Sequence, residues 1–442
     1  MSVGGLRIKH ARFIVVVAAL AACSAILWLA RSYTFYFDEW SFILTAPDWT
    51  WVTYLDPHNE HPVMALRAIY AVLLSTVGIR TYLPYMLALL VSHAACALLL
   101  FELIRRRAGD AIALACAALL LVLGAGWEDL LWAFQLAFVG SVACGLGLLL
   151  AIEGTPGRGR LAIAAILATA SMTFSAIGLF FAMVAGARLI LARTPRRDLL
   201  WFAPVVLAFG AWYLAFGRHG TPTVPPPSAA NVLVLPAYIA WGLAGGVAGL
   251  IGVTGQASFV VLLPALAAVA FSWWRERPDP LAAASAVGLV AFYGLTGLTR
   301  AQLGVEQSAS GRYVYVGAVL WLILLASLAP RLPWRGTWRP ALIACLFLAC
   351  FNSSVLLVDY AAAKTQVMAR EVADMQALAA LRTDPCLNPS GAVDGFVMPY
   401  VTSPALYYRA IDLYGNPVAG MPVTDQADFA RAKLNLVSSG CR

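Results

Sequence analysis

Apolar runs of about 20 residues divide the chain from end to end, and that is the length an α-helix needs to cross a hydrocarbon core of about 30 Å. Phe13–Ala30, Thr81–Ile104, Leu131–Ile152, Leu281–Leu298 and Ala341–Val358 are runs of this kind. None shows the period-2 alternation of a membrane strand. In lipid every backbone polar group needs an internal partner, and a helix supplies one within its own segment. With 61% hydrophobic and 12% charged residues, and a mean hydropathy of +0.79, the chain carries more apolar surface than a soluble fold can cover. The fold class expected is an all-α polytopic membrane protein.

The formal net charge of +8 could suggest a nucleic-acid partner, but the basic residues are placed otherwise. Arg105-Arg106-Arg107, Arg158 with Arg160, Arg193 with Arg196-Arg197, Arg275 with Arg277, and Arg331 with Arg335 and Arg339 stand between apolar runs. Such clusters mark cytoplasmic loops, so the surplus is a topology signal. Arg7, Lys9 and Arg12 put the N-terminus inside. Leu20-Ala21-Ala22-Cys23 resembles a lipoprotein cleavage box, yet the apolar run continues to Ala30, so the segment reads as a retained first span.

Alternating sides along the chain then predicts about eleven spans and an extracytoplasmic C-terminus. Two segments do not cross in this scheme. Pro62–Gly78 lies in the outer interface with Arg67 on its wet face, and the Gly-rich Val232–Gly252 is interfacial or re-entrant. Leu161–Leu191 is long enough for a hairpin of two short helices, and Gly217–Asn231 is an outer loop stiffened by Pro222 and Pro225-Pro226-Pro227. Residues 1–358 form the membrane domain, with 31–80 as its first outer loop and juxtamembrane helix. Residues 359–442 form a small extracytoplasmic tail domain, where Cys386 and Cys441 can close a disulfide suited to an oxidising compartment. The other six cysteines lie in apolar runs and read as small core residues.

The chemistry concentrates after the first span. Asp38, Glu39, Asp48, Asp56 and Glu60, with His58 and His61, stand between Phe37 and Pro62. Glu128, Asp129 and Glu306 join them on the expected outer side, together with Arg300 and Arg312. Carboxylates beside arginines suit group transfer from a phosphate-activated donor. One carboxylate takes the proton of an attacking hydroxyl, and arginine holds the departing phosphate in bidentate fashion. Adjacent acids on a helix diverge by about 100°, so Asp38 and Glu39 cannot share one task. Asp38 is assigned as the base and Glu39 a supporting or substrate-orienting part; the alternative makes both solvated caps of a short helix. Arg300 and Arg312, with Tyr313, are the candidates for the donor phosphate, and Glu60, His61, Glu128 and Asp129 for other substrate contacts. Asp38, His58 and Glu60 are candidate ligands for a divalent cation, although the spacing does not define a site. The tryptophans read as an interfacial belt.

The order of these features resembles the GT-C superfamily of membrane glycosyltransferases. Within it the chain is most similar to the bacterial branch related to protein O-mannosyltransferases and lipid A aminoarabinose transferases. Asp38-Glu39 stands where those proteins carry an acidic pair after the first span. Glu60-His61-Pro62 stands at their Glu-Lys-Pro-Pro stretch, with His61 in place of lysine, and Gly311-Arg312-Tyr313 resembles the Arg-Tyr that opens a late span. The match covers about the first 110 residues and thereafter only the span pattern; the tail is shorter than in many relatives. The resemblance implies a GT-C-like bundle in the bacterial inner (plasma) membrane, an undecaprenyl- or other polyprenyl-phosphate sugar donor, and an inverting reaction on the outer face with Asp38 as base. The acceptor is then a glycan, lipid or protein. The rival readings are a transporter or flippase for a lipid-linked or polar substrate, and a glycan ligase or polymerase.

Overall fold

The computed structural model describes residues 8–220, 228–329 and 337–441. Arg7, the prolines at 222 and 225–227, Arg331 and Arg335 lie outside the described residues. Among those described, the chain is helical and contains no strand, only two isolated bridges, His58 with His61 and Leu387 with Val437. Among the described residues eight helices are long and apolar enough to cross a membrane: Ala11–Leu29, Leu83–Ala108, Ala133–Ala151, Arg196–His219, Ala230–Gly249, Gly255–Arg275, Pro280–Leu303 and Trp338–Ala380. A ninth is counted if Asp110–Leu121 and Gly124–Leu131, bent by 46° at Val122–Leu123, form one broken span. The protein is an all-α, multi-pass membrane protein.

Two segments differ from the reading of the sequence. The stretch expected to be interfacial or re-entrant, Val232–Gly252, is a continuous 20-residue helix, Ala230–Gly249, and at 1.5 Å per residue it is long enough to cross. Arg67 is not on a wet face: in the helix Met64–Thr76 it is buried, donates to the Thr53 carbonyl oxygen at 2.6 Å, and lies 5.3 Å from the centre of the Phe42 ring. The long stretch Leu161–Leu191 does divide into two short helices, Arg158–Phe174 and Ile177–Leu191.

The chain groups into two compact units. The first comprises Met1–Ile26, Leu55–Val63 and Leu89–Val358; the second comprises Leu27–Tyr54, Met64–Ala88 and Asp359–Arg442. Val358–Asp359 is one of the points where the chain passes from one unit to the other. Most of 31–80, however, groups with the tail rather than with the membrane helices.

In the first unit, Leu136–Ala151 packs against Arg158–Phe174 and Ile177–Leu191, while Ala230–Gly249, Pro280–Arg300 and Gly311–Ala326 pack on one another. These last three helices meet at the Tyr293 ring. Gly242 and Gly317 allow it, because a Cβ at either would overlap the ring or its hydroxyl. In the second unit, the short helices Asp38–Thr45, Met64–Thr76 and Pro404–Tyr414 bury an aromatic core of Phe35, Trp40, Phe42, Tyr70, Tyr85 and Tyr407. Aromatic side chains carry a large apolar area each and favour the edge-to-face contacts seen here, such as Phe35 with Tyr85 at 4.9 Å. Cys386 and Cys441 form a disulfide across a separation of 55 residues.

Candidate active site

The candidate residues fall into two sets, one in each unit. In the first unit the local fold begins with a tight turn. The backbones of His58 and His61 exchange hydrogen bonds of 3.0 and 3.1 Å, with Asn59 at φ +53° between them. Asparagine is among the few residues that adopt this conformation readily. The turn puts Glu60 at its tip, where the carboxylate accepts from the Arg300 guanidinium at the end of Pro280–Arg300.

Glu60, His61, Arg300 and Tyr313 line one cavity of about 290 Å³. Its walls are otherwise mostly apolar and aromatic, including Phe138, Phe180, Phe209 and Phe292. Phe138 bridges His61 and Tyr313, with ring centres 6.0 and 6.5 Å away. Tyr313 lies in the first turn of the helix Gly311–Ala326, and its carbonyl oxygen accepts from Tyr293 Oη at 3.3 Å. Burial, followed by the charges of Arg300, His58 and Arg312, pushes the His61 imidazole down to about 3. It is therefore neutral at ordinary pH and can meet a ligand only as a hydrogen-bonding group; its Nδ1 is buried and has no hydrogen-bond partner among the described residues.

Arg312 pairs with Glu128 at 3.0 Å and does not line this cavity. Asp129, the next residue, is fully buried, and among the described residues neither of its carboxylate oxygens has a hydrogen-bond partner. Among the described residues no group of three or more His, Cys, Asp or Glu is arranged to hold a metal ion. Of the candidate cation ligands, Glu60 is engaged by Arg300, and Asp38 belongs to the other unit.

In the second unit the acidic pair opens the helix Asp38–Thr45, preceded by Phe37 at φ +51° and ψ −113°. A bulky side chain rarely occupies that region, so the backbone there is strained, and it is held by Phe37 N donating to the Val397 carbonyl oxygen at 3.3 Å. The two acids then diverge. Asp38 accepts from Tyr400 Oη at 2.9 Å. Glu39 is fully buried and accepts from Tyr36 N at 2.9 Å, Tyr70 Oη at 2.7 Å, and Tyr82 Oη at 3.0 and 3.1 Å. Burial raises its carboxyl to about 7, even though those donors and the nearby Lys364 charge pull the other way. Glu39 thus ties the acidic helix to Met64–Thr76 and to the connector after it. Trp40 donates in turn to Glu371 at 2.6 Å.

Sequence reading did not find Tyr70, Tyr82 or Tyr400. They belong to no motif, and only their distance in space from the acids reveals them. No protein-family model matches the chain, and the search of curated proteins finds no match.

Proposed function

We propose that the protein is a glycosyltransferase that moves a sugar from a polyprenyl-phosphate donor to an extracytoplasmic glycan, lipid or protein acceptor, with inversion at the anomeric carbon. One observation carries the reading: the cavity of the first unit is lined by aromatic and aliphatic side chains and by the Glu60–Arg300 pair with His61. A prenyl phosphate has the same division, a hydrocarbon chain joined to an anionic head. The Glu60 carboxylate holds the Arg300 guanidinium, whose remaining N–H groups are available to phosphate oxygens. His61, uncharged, adds hydrogen bonding without charge.

The reaction class needs a carboxylate to take the proton of an acceptor oxygen as it attacks the anomeric carbon, and Asp38 is proposed for that part from its place in the sequence. The bond between that carbon and the phosphate oxygen breaks, and the electron pair leaves with the prenyl phosphate. The leaving group is an anion, so no acid needs to protonate it, and one carboxylate suffices where glycoside hydrolysis needs two. Glu39 serves by holding Asp38 in place, since its own oxygens are occupied by tyrosine hydroxyls and a backbone N–H. The membrane is the bacterial inner membrane, and the acidic helix and the C-terminal tail lie on its outer side.

The second reading, a transporter or flippase for a lipid-linked or polar substrate, is favoured by Asp129. A buried carboxylate with no hydrogen-bond partner among the described residues, set in a broken apolar helix pair, marks a candidate ion or proton pathway. One experiment separates the two. Purified protein is given polyprenyl-phosphate hexoses and pentoses with a candidate acceptor, and the glycosylated product and its anomeric configuration are read by mass spectrometry and NMR. Donor-dependent product of inverted configuration is the expected result. An intact donor that instead crosses the bilayer of reconstituted vesicles would favour the transporter.

A further inference from the structure

The second unit contains a larger cavity, of about 700 Å³, that the proposed reaction does not use. Leu27, Met86, Val372 and Met421 contribute to an apolar lining, and Arg31 and Arg80 stand in the same lining with exposed side chains. Leu27 lies in the last turn of the candidate span Ala11–Leu29, and Met86 in the first turn of Leu83–Ala108. The cavity is therefore at the level where hydrocarbon gives way to lipid headgroups. Trp28, 66% exposed beside it, marks the same level.

Both arginines are held by groups other than carboxylates. Arg31 donates to the Trp28 carbonyl oxygen at 2.7 Å and stacks 4.4 Å from the centre of its ring. The backbone before Arg80 is pinned where Ile79 N donates to the Tyr414 carbonyl oxygen at 2.9 Å. The Arg80 side chain then lies across Gly415, φ +93°, in space that a Cβ would fill. Among the described residues Arg80 forms no ion pair. Two positioned guanidinium groups beside an apolar chamber at a membrane boundary call for an anion that carries its own hydrocarbon.

We propose that this cavity binds an anionic, phosphate-bearing membrane lipid, with its phosphate on Arg31 and Arg80 and the start of an acyl chain against the apolar lining. The site is independent of the glycosyl-transfer reading and would exist equally in a transporter.

The test uses the purified full chain in detergent, titrated separately with short-chain phosphatidylglycerol, diacylglycerol of the same chain length, and inorganic phosphate. Bound ligand is counted by native mass spectrometry. Phosphatidylglycerol should be retained at least tenfold better than diacylglycerol, and Arg31→Gln with Arg80→Gln should remove that preference. Met421→Trp, which fills the apolar chamber, should weaken phosphatidylglycerol at least fivefold and leave inorganic phosphate unchanged. If the double variant does not fold, as judged by its melting temperature, Met421→Trp decides alone. Equal retention of diacylglycerol, or lipid binding indifferent to Met421→Trp, would overturn the proposal. Inorganic phosphate binding as well as the lipid would show a free-anion site instead.

Discussion

Asp38 and Glu39 are neighbours in sequence with opposite surroundings, and the difference is testable through pH. The Glu39 carboxyl titrates at about 7, above the ordinary glutamate value of 4.5. Between those two values the folded protein holds a proton that the unfolded chain has released. By linkage, stability is therefore lost as pH rises from about 4.5 to about 7 and is level above that. The whole effect is on the order of 3 kcal/mol, since each pH unit of separation corresponds to about 1.4 kcal/mol. Glu39→Gln keeps an oxygen for the tyrosine donors but cannot titrate. Thermal unfolding in detergent should show the wild-type melting temperature falling from about pH 4.5 to about pH 7 and level above, with a clearly flatter profile in the variant. At Arg300 the expectation concerns binding: Arg300→Ala should raise the apparent KM for a polyprenyl-phosphate sugar tenfold or more, since charge-assisted hydrogen bonds contribute about 1.5–3 kcal/mol. Arg312→Ala should have the smaller effect, because Arg312 pairs with Glu128 outside the cavity lining. A donor KM unchanged in Arg300→Ala would remove that residue from the phosphate site.

At the scale of elements, what could be read from the sequence was what periodicity and chain punctuation encode. Apolar run length located most of the long helices, and the length of Leu161–Leu191 signalled its division into two, which falls at Ser175–Ala176. Gly78, at φ +68°, ends the helix Met64–Thr76 as its position suggested. Val232–Gly252, read as interfacial or re-entrant from its glycines and from the parity that keeps Arg275 inside, is one helix in which Gly242 and Gly246 serve close packing against Tyr293 and neighbouring helices. Arg67 misled: a cation in an amphipathic stretch reads as exposed, but a carbonyl oxygen and aromatic faces can bury it. The Cys386–Cys441 bridge was legible from compartment and position alone. Replacing both cysteines by serine should cost about 2–4 kcal/mol by the chain-closure argument. Limited proteolysis should then cut the tail faster while the apolar helices stay intact, and unchanged protection would show that the bridge adds little.

At the scale of the whole molecule, the two compact units cut across the linear division into membrane domain and tail. The loop that carries Asp38 and Glu39 shares a compact unit with residues 359–442, through Tyr400 on Asp38 and Glu371 on Trp40. Such long-range partners leave no local pattern, which is why the acidic pair was legible and its setting was not. The tail, on this account, is part of the framework that positions the base. Deleting residues from 385 onward should therefore abolish transfer even where the membrane helices still insert, as judged by yield and detergent stability. Retained transfer in that truncation would show the tail to be dispensable.

The most direct test is single-turnover sugar transfer by purified wild-type protein and Asp38→Asn, with a polyprenyl-phosphate sugar in excess over its apparent KM. Asparagine preserves size and can still accept from Tyr400, but it cannot take a proton. Loss of a general base predicts a rate lowered by about 10²–10⁴-fold with donor binding and melting temperature unchanged. A variant that transfers sugar at the wild-type rate would contradict the assignment of Asp38 as the base.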